Sequence, residues 1–529
     1  MLNTTRARRG MVTSPHHLAS EAGIRVLREG GNAIEATVAM AATLAVVYPH
    51  MNGIGGDGFW LIAAPGTEPV AIDACGRAGR AATRDLYAHH GLDSIPIRGP
   101  LAANTVAATI SGWAETLGIS AKSGGRLPLS RLLEDAIWHA ENGFAVSTSQ
   151  SELTAEKLGE LRSVSGFAET FLKHGSPPRA GETMTFPALA KTLRRLGRDG
   201  AEDFYTGALA RDIAADLEAA GAPVGLEDLA AHRATQRPAL SLRLPGVSLF
   251  NFPPPTQGIA SLMILGIFDR LGITEAEGFA HIHGLVEATK QAFLVRDRIL
   301  GDPDDMTEEV QAFLDPTSLD ALAARIERER ALPWPAPPTG GDTVWLGAID
   351  GDGLATSFIQ SVYFEFGSGV VLPQTGIVWQ NRGASFLLDG EGPRILKPGR
   401  RPFHTLNPAF ARFDDGRTMV YGTMGGEGQP QTQAAVFTRY AMFGQELQAA
   451  VTAPRWLLGR TWGEDSVSLK LEDRFPRELV EKLRAAGHDI EILAPFTSTM
   501  GHAGAIVRHA DGRLEGAADP RSDGCARGF

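Results

Sequence analysis

The sequence predicts an α+β fold in which helices and sheets form separate layers. Helical periodicity dominates from about residue 128 to residue 300, whereas the chain after residue 342 is β-rich. Strands and helices therefore occur in runs and do not alternate regularly, as they would in a doubly wound fold. The 529 residues are 43% apolar and 21% charged, which is ordinary for a globular protein with a large core.

Charge and hydropathy exclude several functional classes. The 50 basic and 61 acidic residues give a formal net charge of −11, which argues against a nucleic-acid partner or an anionic membrane surface. The longest uncharged apolar run, Ala36–Tyr48, is shorter than the roughly twenty residues of a membrane span. The basic N-terminus is not followed by the apolar segment of a secretory signal. We therefore expect a soluble, cytoplasmic protein with neither a membrane nor a nucleic acid as its partner.

The first 75 residues predict two helices and a hairpin. A helix begins near Ser14 and ends at Gly30-Gly31, and a second helix from about Asn32 to Tyr48 is apolar nearly all round, which is typical of a buried helix. After a glycine-rich loop at residues 53–58, the apolar runs Phe59–Ala64 and Pro69–Asp73 predict two paired core strands.

The remaining elements follow from periodicity. Helices are predicted at Leu129–Asn142, Phe186–Leu196, Ala208–Ala220, Ile282–Leu300 and, near the C-terminus, Thr432–Phe443. Strand-like alternation is found at Ser241–Phe252, Thr343–Asp350, Leu354–Phe364, Val370–Leu372, Gly376–Trp379 and Thr418–Gly422.

An exposed linker is predicted at residues 332–342. Residues 332–341 contain four prolines and two glycines, which exclude a helix or a central strand. The linker divides the chain into residues 1–342, mainly helical with core strands, and residues 343–529, which are β-rich.

Several motifs fail to support a cofactor, a metal or a disulfide. Residues 53–58 match G-x-G-x-x-G, but this loop follows a helix and precedes a strand, the reverse of the dinucleotide-binding order. His281 and His283 are two residues apart on a predicted helix and so face different sides. Cys75 lacks an identified base, and two cysteines cannot form a disulfide framework or a zinc site. No cofactor and no metal are therefore predicted.

The junction of the linker with the following strand offers a nucleophile. Cleavage before Thr343 would create an α-amino group beside the threonine hydroxyl, and its ordinary pKa near 8 suits it as the base that activates that hydroxyl. The preceding Gly340-Gly341 lets the Asp342–Thr343 bond adopt a strained turn, and the apolar strand behind it holds the hydroxyl in place. From the residues alone, a threonine after such a loop is more often simply the start of a strand.

Motifs spread along the chain resemble those of the γ-glutamyltransferases, a family of N-terminal-nucleophile hydrolases. The stretch Thr343–Gly353 and the later Phe366–Gly369 resemble the start of the family's small subunit. Further matches occur in the family's order at Ser14–Ser20, Gly30–Ala33, Asn52–Phe59, Pro253–Pro255, Leu300–Pro303, Arg401–Pro402, Gly422–Gly426 and Ala518–Ser522. So many ordered matches are specific, and the chain is identified as a member of this family.

The resemblance implies a four-layer αββα sandwich and autocatalytic cleavage between Asp342 and Thr343. The resulting large and small subunits would stay associated, and the sequence allows but does not require a dimer of these heterodimers. By the same resemblance Thr343 is the nucleophile, Ser361 takes the place of the hydroxyl that hydrogen-bonds it, and the backbone N–H groups of Gly425 and Gly426 form the oxyanion hole.

The substrate-binding positions depart from the family pattern. The family's arginine for the glutamyl α-carboxylate falls on Cys75, with Arg77 two residues on. The two residues that hold the α-amino group fall on Tyr363 and Ser385, so the partner of an ammonium is lost. The other positions that differ are Arg382, which replaces a glutamine, and His404 and Thr405, which replace a pair of serines.

These departures favour a small anionic amide as the substrate. The segments around Thr343, Ser361 and Arg382 resemble the oxamate amidohydrolase branch of the family, which releases oxalate and ammonia. Two alternatives stay open: a γ-glutamyl hydrolase or transferase acting on glutathione or related amides, and an unprocessed homologue that binds a ligand without catalysis.

Overall fold

The protein is described here by a computed structural model covering residues 3–334, 342–459 and 466–529. Most of the predicted linker, residues 335–341, lies outside these ranges. None of the helices within them is both long enough and apolar enough to cross a lipid bilayer.

The described residues form nineteen β-strands. In chain order they are β1 Thr5–Ala7, β2 Gly10–Ser14, β3 Asp57–Ala63, β4 Val70–Ala74, β5 Phe144–Ala145, β6 Thr183–Met184, β7 Thr235–Pro238, β8 Leu240–Leu244, β9 Val247–Asn251, β10 Asp342–Asp350, β11 Ala355–Tyr363, β12 Ala409–Phe413, β13 Thr418–Thr423, β14 Trp456–Leu458, β15 Leu469–Glu472, β16 Ile490–Leu493, β17 Ala503–Arg508, β18 Leu514–Ala518 and β19 Cys525–Gly528.

The same ranges contain eighteen α-helices. They are α1 His17–Arg28, α2 Ala33–Val47, α3 Arg84–His89, α4 Thr109–Lys122, α5 Leu129–Leu132, α6 Glu134–Asn142, α7 Thr148–Glu156, α8 Leu158–Leu161, α9 Phe167–Phe171, α10 Pro187–Asp199, α11 Ala208–Ala220, α12 Leu226–Ala231, α13 Gly258–Arg270, α14 Phe279–Ile299, α15 Pro316–Ala323, α16 Gly428–Phe437, α17 Leu447–Thr452 and α18 Arg477–Ala485. Short 3₁₀ turns lie at Pro100–Ala102, Ala201–Phe204, Val310–Leu314, Arg382–Ser385 and Ser498–Met500, and a π-helical turn follows α16 at Thr438–Met442.

Two large antiparallel sheets dominate the described part of the chain. Sheet A has the strand order β1-β18-β17-β13-β12-β9-β8, and sheet B has the order β19-β2-β10-β11-β3-β4-β7. In both sheets, strands from before residue 342 are hydrogen-bonded to strands from after it: β10 and β11, for example, lie between β2 and β3. The two halves of the sequence therefore share each sheet.

Three hydrophobic cores define four layers. One core joins helices that include α1 and α2 to sheet B, a second lies between the two sheets, and a third joins sheet A to helices that include α13, α14 and α16. Strand β10 contributes to two of them, because Val344, Leu346 and Ala348 face the helices while Trp345 and Ile349 face sheet A. The predicted α+β class and αββα sandwich are confirmed.

Local sequence explains the buried helix beneath sheet B. The Asn32 side chain caps α2 by accepting a hydrogen bond from the Glu35 N–H, and the Glu35 carboxylate accepts one from the Asn32 N–H. Every residue of α2 is buried, as its nearly uniform apolar sequence predicts.

The predicted strands at Val370–Leu372 and Gly376–Trp379 are wrong, because these residues form only isolated bridges. Two other predicted elements differ from the observed ones in their bounds. The run Ser241–Phe252 is two strands, β8 and β9, joined by a turn at Gly246, whose φ is +78°. The predicted helix Thr432–Phe443 begins four residues earlier and ends in the π-helical turn.

Candidate active site

Thr343 lies on the face of β10 that is packed against sheet A. A side chain on Gly422 of β13 would collide with the Trp345 ring, 2.2 Å from its Cβ, and one on Gly347 would meet Val420 at 3.2 Å. Positions 345 and 347 of β10 thus lie opposite positions 422 and 420 of β13, so the two strands run in opposite directions. Continued by two residues, this register would set Thr343 opposite the end of β13, where the chain enters the turn at Gly425. The Thr343 side chain is fully buried, and its Oγ1 has no hydrogen-bond partner within the described part of the chain.

The pairing of β10 with β11 is irregular at this point. Asp342 pairs with Tyr363 and Val344 with Gln360, so two steps on β10 face three on β11. Tyr363 takes a positive φ of +84°, which is uncommon for a residue with a side chain. Its N–H donates to the Ser361 Oγ at 2.8 Å. The predicted cleavage junction and Ser361 therefore share one β-bulge.

The turn after β13 holds the two predicted oxyanion glycines. Gly425 and Gly426 have φ values of +115° and +48°, a conformation that a side chain would strain. The Gly425 carbonyl accepts from the Gly428 N–H at 2.7 Å, at the start of α16. Neither Gly425 nor Gly426 donates its own N–H to an acceptor among the residues described. The turn therefore offers two backbone donors directly after the end of β13.

Arg382 is the most unusual side chain of the site. It is 1% exposed, and its Cζ stacks 3.5 Å from the centre of the Tyr363 ring. Its Nη1 is 3.5 Å from the Thr405 Oγ1, whereas Nε and Nη2 have no partner within the described ranges. Burial lowers the pKa of this guanidinium from its ordinary value. A buried cation with two free donors provides a binding site for a carboxylate.

His404 and Asp57 form a buried pair beside Arg382. The His404 Nε2 is 2.9 Å from the Asp57 Oδ2, and the other oxygen of Asp57 accepts from the Gln380 side chain and the Gly76 N–H, each at 3.0 Å. Burial raises the pKa of the Asp57 carboxyl to about 7 although both hydrogen bonds oppose this. Burial and then the charge of Arg382 lower the pKa of His404, which is therefore neutral. We call Asp57, Tyr363, Arg382, His404 and Thr405 the Arg382 cluster.

Two other predicted site residues are engaged differently. The Ser385 Oγ donates to the carbonyls of Arg382 and Phe403, each at 3.0 Å, so it fixes the backbone around the cluster. Arg77 has a side chain 40% exposed, donates to Asp304 at 2.9 Å and to the Gly399 carbonyl at 2.8 Å, and so has its charge neutralised outside the cluster.

Sequence reasoning missed Asp57. It lies inside the glycine-rich stretch read as a turn, but it begins β3 and pairs with Ser361 of β11. The tight glycines around it are what brings it there, since a side chain on Gly56 would come within 2.0 Å of the Ser361 carbonyl. A carboxylate inside a run of glycines, next to a predicted core strand, was the available signal.

Cys75 is buried in surroundings that do not activate it as a nucleophile. Burial, reinforced by Asp57 and Asp73, raises the pKa of its thiol well above the ordinary value, so the reactive thiolate is disfavoured.

Two groups of described side chains have ligand atoms within 4.8 Å of one another, as a metal site requires: Asp57, Cys75 and His404, and His283, Glu287 and His488. In the first group the neighbouring Arg382 guanidinium would repel a second cation, and in the second the Lys290 ammonium, 2.6 Å from Glu287, does the same. His281 and His283 face different sides as predicted, since they bond to Thr438 and His488 respectively.

The fold and this arrangement define a class of protein. A family model described as gamma-glutamyltranspeptidase matches residues 19–529, and the chain belongs to that family. Among curated relatives, the chain is 57% identical over 521 residues to the "Oxamate amidohydrolase proenzyme" of Klebsiella pneumoniae, with 98% of each sequence covered. It is 42% identical to the "Glutathione hydrolase-like YwrD proenzyme" of Bacillus subtilis, again over 98% of each.

A solved structure agrees over the whole chain. The crystal structure of cephalosporin acylase from Bacillus halodurans superposes with a TM-score of 0.92 at 34% identity, covering 100% of this chain and 97% of that one. The relatives are named hydrolases and proenzymes, and the predictions of the family and of an enzyme are confirmed.

Proposed function

We propose that the chain is a precursor that cleaves itself between Asp342 and Thr343 and then hydrolyses oxamate to oxalate and ammonia. The observation that carries the substrate assignment is the buried Arg382 guanidinium with two unpartnered donors. An anion must exchange its hydration for such contacts when it is buried, and a guanidinium fork matches a carboxylate in two parallel hydrogen bonds.

The proposed cleavage divides the chain into a large subunit, residues 1–342, and a small subunit, residues 343–529. The interleaved strands support their continued association, because separating the pieces would break the hydrogen bonds of both sheets. Pairing of two such heterodimers stays a prediction, which analytical ultracentrifugation would test.

In the proposed reaction the Thr343 Oγ adds to the amide carbonyl while its proton passes to the new α-amino group. The N–H groups of Gly425 and Gly426 stabilise the oxyanion, and the amine gives its proton to the departing ammonia. Water then adds to the ester, and its breakdown releases the acid and restores the threonine. Ser361, on the shared bulge, is proposed to orient the nucleophile.

The Arg382 cluster supports a small anion over a glutamyl group. Both positions that would hold an ammonium carry other roles, since Tyr363 stacks beneath Arg382 and Ser385 bonds to backbone carbonyls. Asp57 is not free to replace them, because its two oxygens already face His404, Gln380 and Gly76. A buried ammonium left unpaired is costly, so γ-glutamyl amides are expected to be poor substrates.

A panel of amides tests the substrate. Oxamate, malonamate, glutathione and γ-glutamyl anilide are incubated with purified mature protein, and the release of ammonia, cysteinylglycine or aniline, as the substrate requires, is measured. Fast turnover of oxamate with slow turnover of the glutamyl compounds supports the proposal. Faster turnover of the γ-glutamyl anilide would instead support a γ-glutamyl hydrolase or transferase, which the 42% identical relative makes the second candidate.

Denaturing gels and N-terminal sequencing test the cleavage. The 56.3 kDa chain should give pieces of about 36 and 20 kDa, and the smaller one should begin Thr-Val-Trp. Thr343→Ala should leave one chain with no activity, because no hydroxyl remains to attack either carbonyl. A wild-type protein that stays as a single band after long incubation would indicate a non-catalytic homologue.

A further inference from the structure

One buried glutamine contacts both halves of the candidate site. Gln257 lies just before α13, and its side chain donates to the carbonyls of Thr405 and Gly426, each at 2.8 Å. Its backbone N–H donates to the His404 carbonyl at 3.0 Å. A single fully buried residue therefore holds both the His404–Thr405 segment of the Arg382 cluster and the turn with the proposed oxyanion donors.

The orientation of the Gln257 side-chain amide is fixed by a buried arginine, Arg296. Its oxygen accepts from the Arg296 Nη1 at 2.9 Å, and the same nitrogen pairs with the Glu427 carboxylate. Arg296 and Glu427 are both buried, and Arg296 also bonds to Asp297 and stacks on Phe293. A reversed amide would set N–H against N–H and oxygen against two carbonyls, so only one orientation satisfies all three partners.

The glycine turn depends on such contacts from outside. Gly425 and Gly426 have no side chains to restrict their positive φ angles, so hydrogen bonds to their carbonyls must hold the turn. The Gly425 carbonyl is held by Gly428 at 2.7 Å within the turn, and the Gly426 carbonyl by Gln257 at 2.8 Å and by Gln429 at 3.2 Å. Gln257 is the contact that fixes the turn relative to the Arg382 cluster.

We propose that Gln257 is a positioning residue for amide hydrolysis, held in place by the Arg296–Glu427 ion pair. It aligns the N–H groups of the glycine turn with the point where the Arg382 cluster holds the acyl group. This inference rests on the proposed function, since it assigns the turn to the oxyanion and the cluster to the substrate. Gln257 and Arg296 come from before the cleavage junction and Glu427 from after it, so the alignment depends on both subunits.

Gln257→Met tests the role, and Gln433→Met is its matched control. Gln433 is also a buried glutamine, which donates to the Asn407 carbonyl at 2.6 Å and accepts from Asn251 at 3.2 Å, but it contacts neither the turn nor the cluster. Each variant removes the side-chain donor of one buried backbone carbonyl, that of Thr405 or that of Asn407, so similar falls in melting temperature are expected. kcat is measured per mole of cleaved chain, and KM and the inhibition constant of oxalate are measured on the same samples.

We expect Gln257→Met to lower kcat by roughly 10- to 100-fold, as a small misalignment of catalytic groups does, while KM and the oxalate inhibition constant change by less than about threefold. Gln433→Met should keep kcat within about threefold of wild type. Equal losses of kcat in both variants, or an unchanged kcat in Gln257→Met, would overturn the proposal. If Gln257→Met is insoluble or uncleaved, Gln257→Glu, which presents oxygen to both carbonyls, is judged by the same criteria.

The two proposals fail in different ways. A wild-type enzyme that does not hydrolyse oxamate refutes the proposed substrate alone. The Gln257 and Gln433 variants are then compared on whichever amide of the panel the wild type turns over, and the ratio of their kcat values still decides the role of Gln257.

Discussion

Two of the buried arginines, Arg521 and Arg382, lie in opposite surroundings. The Arg521 side chain is fully buried and uses all three nitrogens, bonding to Glu472, Asp519 and the carbonyls of Val451 and Ala453. Arg382 is equally buried, but two of its nitrogens have no partner within the described ranges, and its guanidinium stacks on a tyrosine ring.

We propose that this difference separates an arginine that stabilises the fold from one that binds a ligand. Arg521 pairs with the buried acids Glu472 and Asp519, so removing it would leave Glu472 with only Arg474 and Asp519 with only Arg455 among the ion-pair partners that the described residues provide. Arg382 has no such obligation, and its burial is a cost that the fold alone does not repay. An arginine kept under those conditions is best explained by a ligand that completes its hydrogen bonds.

Arg521→Met should have the largest effect, and the effect should be on stability. Removing one partner of a buried ion pair costs up to about 3–5 kcal/mol, and Arg455 and Arg474 offset part of the charge of Asp519 and Glu472, which remain buried. Melting temperature measures the loss, and kcat per folded enzyme should stay within about threefold of wild type. A stable Arg521→Met protein would erase the contrast with Arg382.

Asp57→Asn examines the buried acid beside Arg382. Because the folded-state pKa of Asp57 is raised to about 7, the carboxyl contributes stability below its unfolded pKa of 3.8 and loses that contribution as pH rises towards 7. As the pH is raised from 5 to 8, the free energy of unfolding of the variant should therefore increase relative to that of its parent by at most about 3 kcal/mol. Denaturant unfolding in a Thr343→Ala background, expected to remain one chain, measures this gain. A difference that does not vary with pH would show that Asp57 is ionised throughout.

Arg382→Met should reduce activity without loss of stability. Losing a charge-assisted contact costs about 1.5–3 kcal/mol, so kcat/KM on oxamate should fall roughly ten- to more than a hundredfold. Melting temperature should be unchanged or higher, because an unpaired buried cation is replaced by an apolar side chain. Cleavage should proceed, and Arg382→Lys should recover activity only in part, because an ammonium lacks the fork. Full activity in Arg382→Met would assign the carboxylate to another group.

Thr405→Val should have the smallest effect. Its hydroxyl is 3.5 Å from the Arg382 Nη1, the outer limit of a hydrogen bond, and the firmly held atom of this residue is its carbonyl. We expect kcat/KM on oxamate to change by less than about threefold. A loss above tenfold would show that the hydroxyl itself contacts the substrate.

The long periodic elements of the fold could be predicted from the sequence. The run Ala208–Ala220 is a helix with those bounds, and the hairpin of β3 and β4 differs from prediction by one or two residues. The segment at 370–379 could not be predicted, since its apolar residues are buried by distant helices and not by a neighbouring strand. The order of strands in the sheets likewise depends on contacts across hundreds of residues.

Residues of the candidate site could be predicted only at positions that match a functional residue of the family. Thr343, Arg382 and the two glycines were proposed that way, and the structure packs β10 against β13, the strand that leads into the glycine turn. Asp57 and Gln257 were missed because their importance comes from partners far away in sequence: Asp57 bonds to His404, 347 residues on, and Gln257 to Gly426, 169 residues on. No periodicity in the local sequence identifies pairs of residues that are so far apart along the chain.

The placement of β10 and β11 between β2 and β3 has a consequence for reversibility. While the chain is intact, folding takes place within one molecule, and the midpoint of its unfolding transition does not depend on protein concentration. Once cut before Thr343, the same sheets can be rebuilt only when two separate pieces meet, so the transition follows mass action and shifts with dilution. The mature protein would then hold a structure that its precursor could reach unaided and that its fragments recover only by collision.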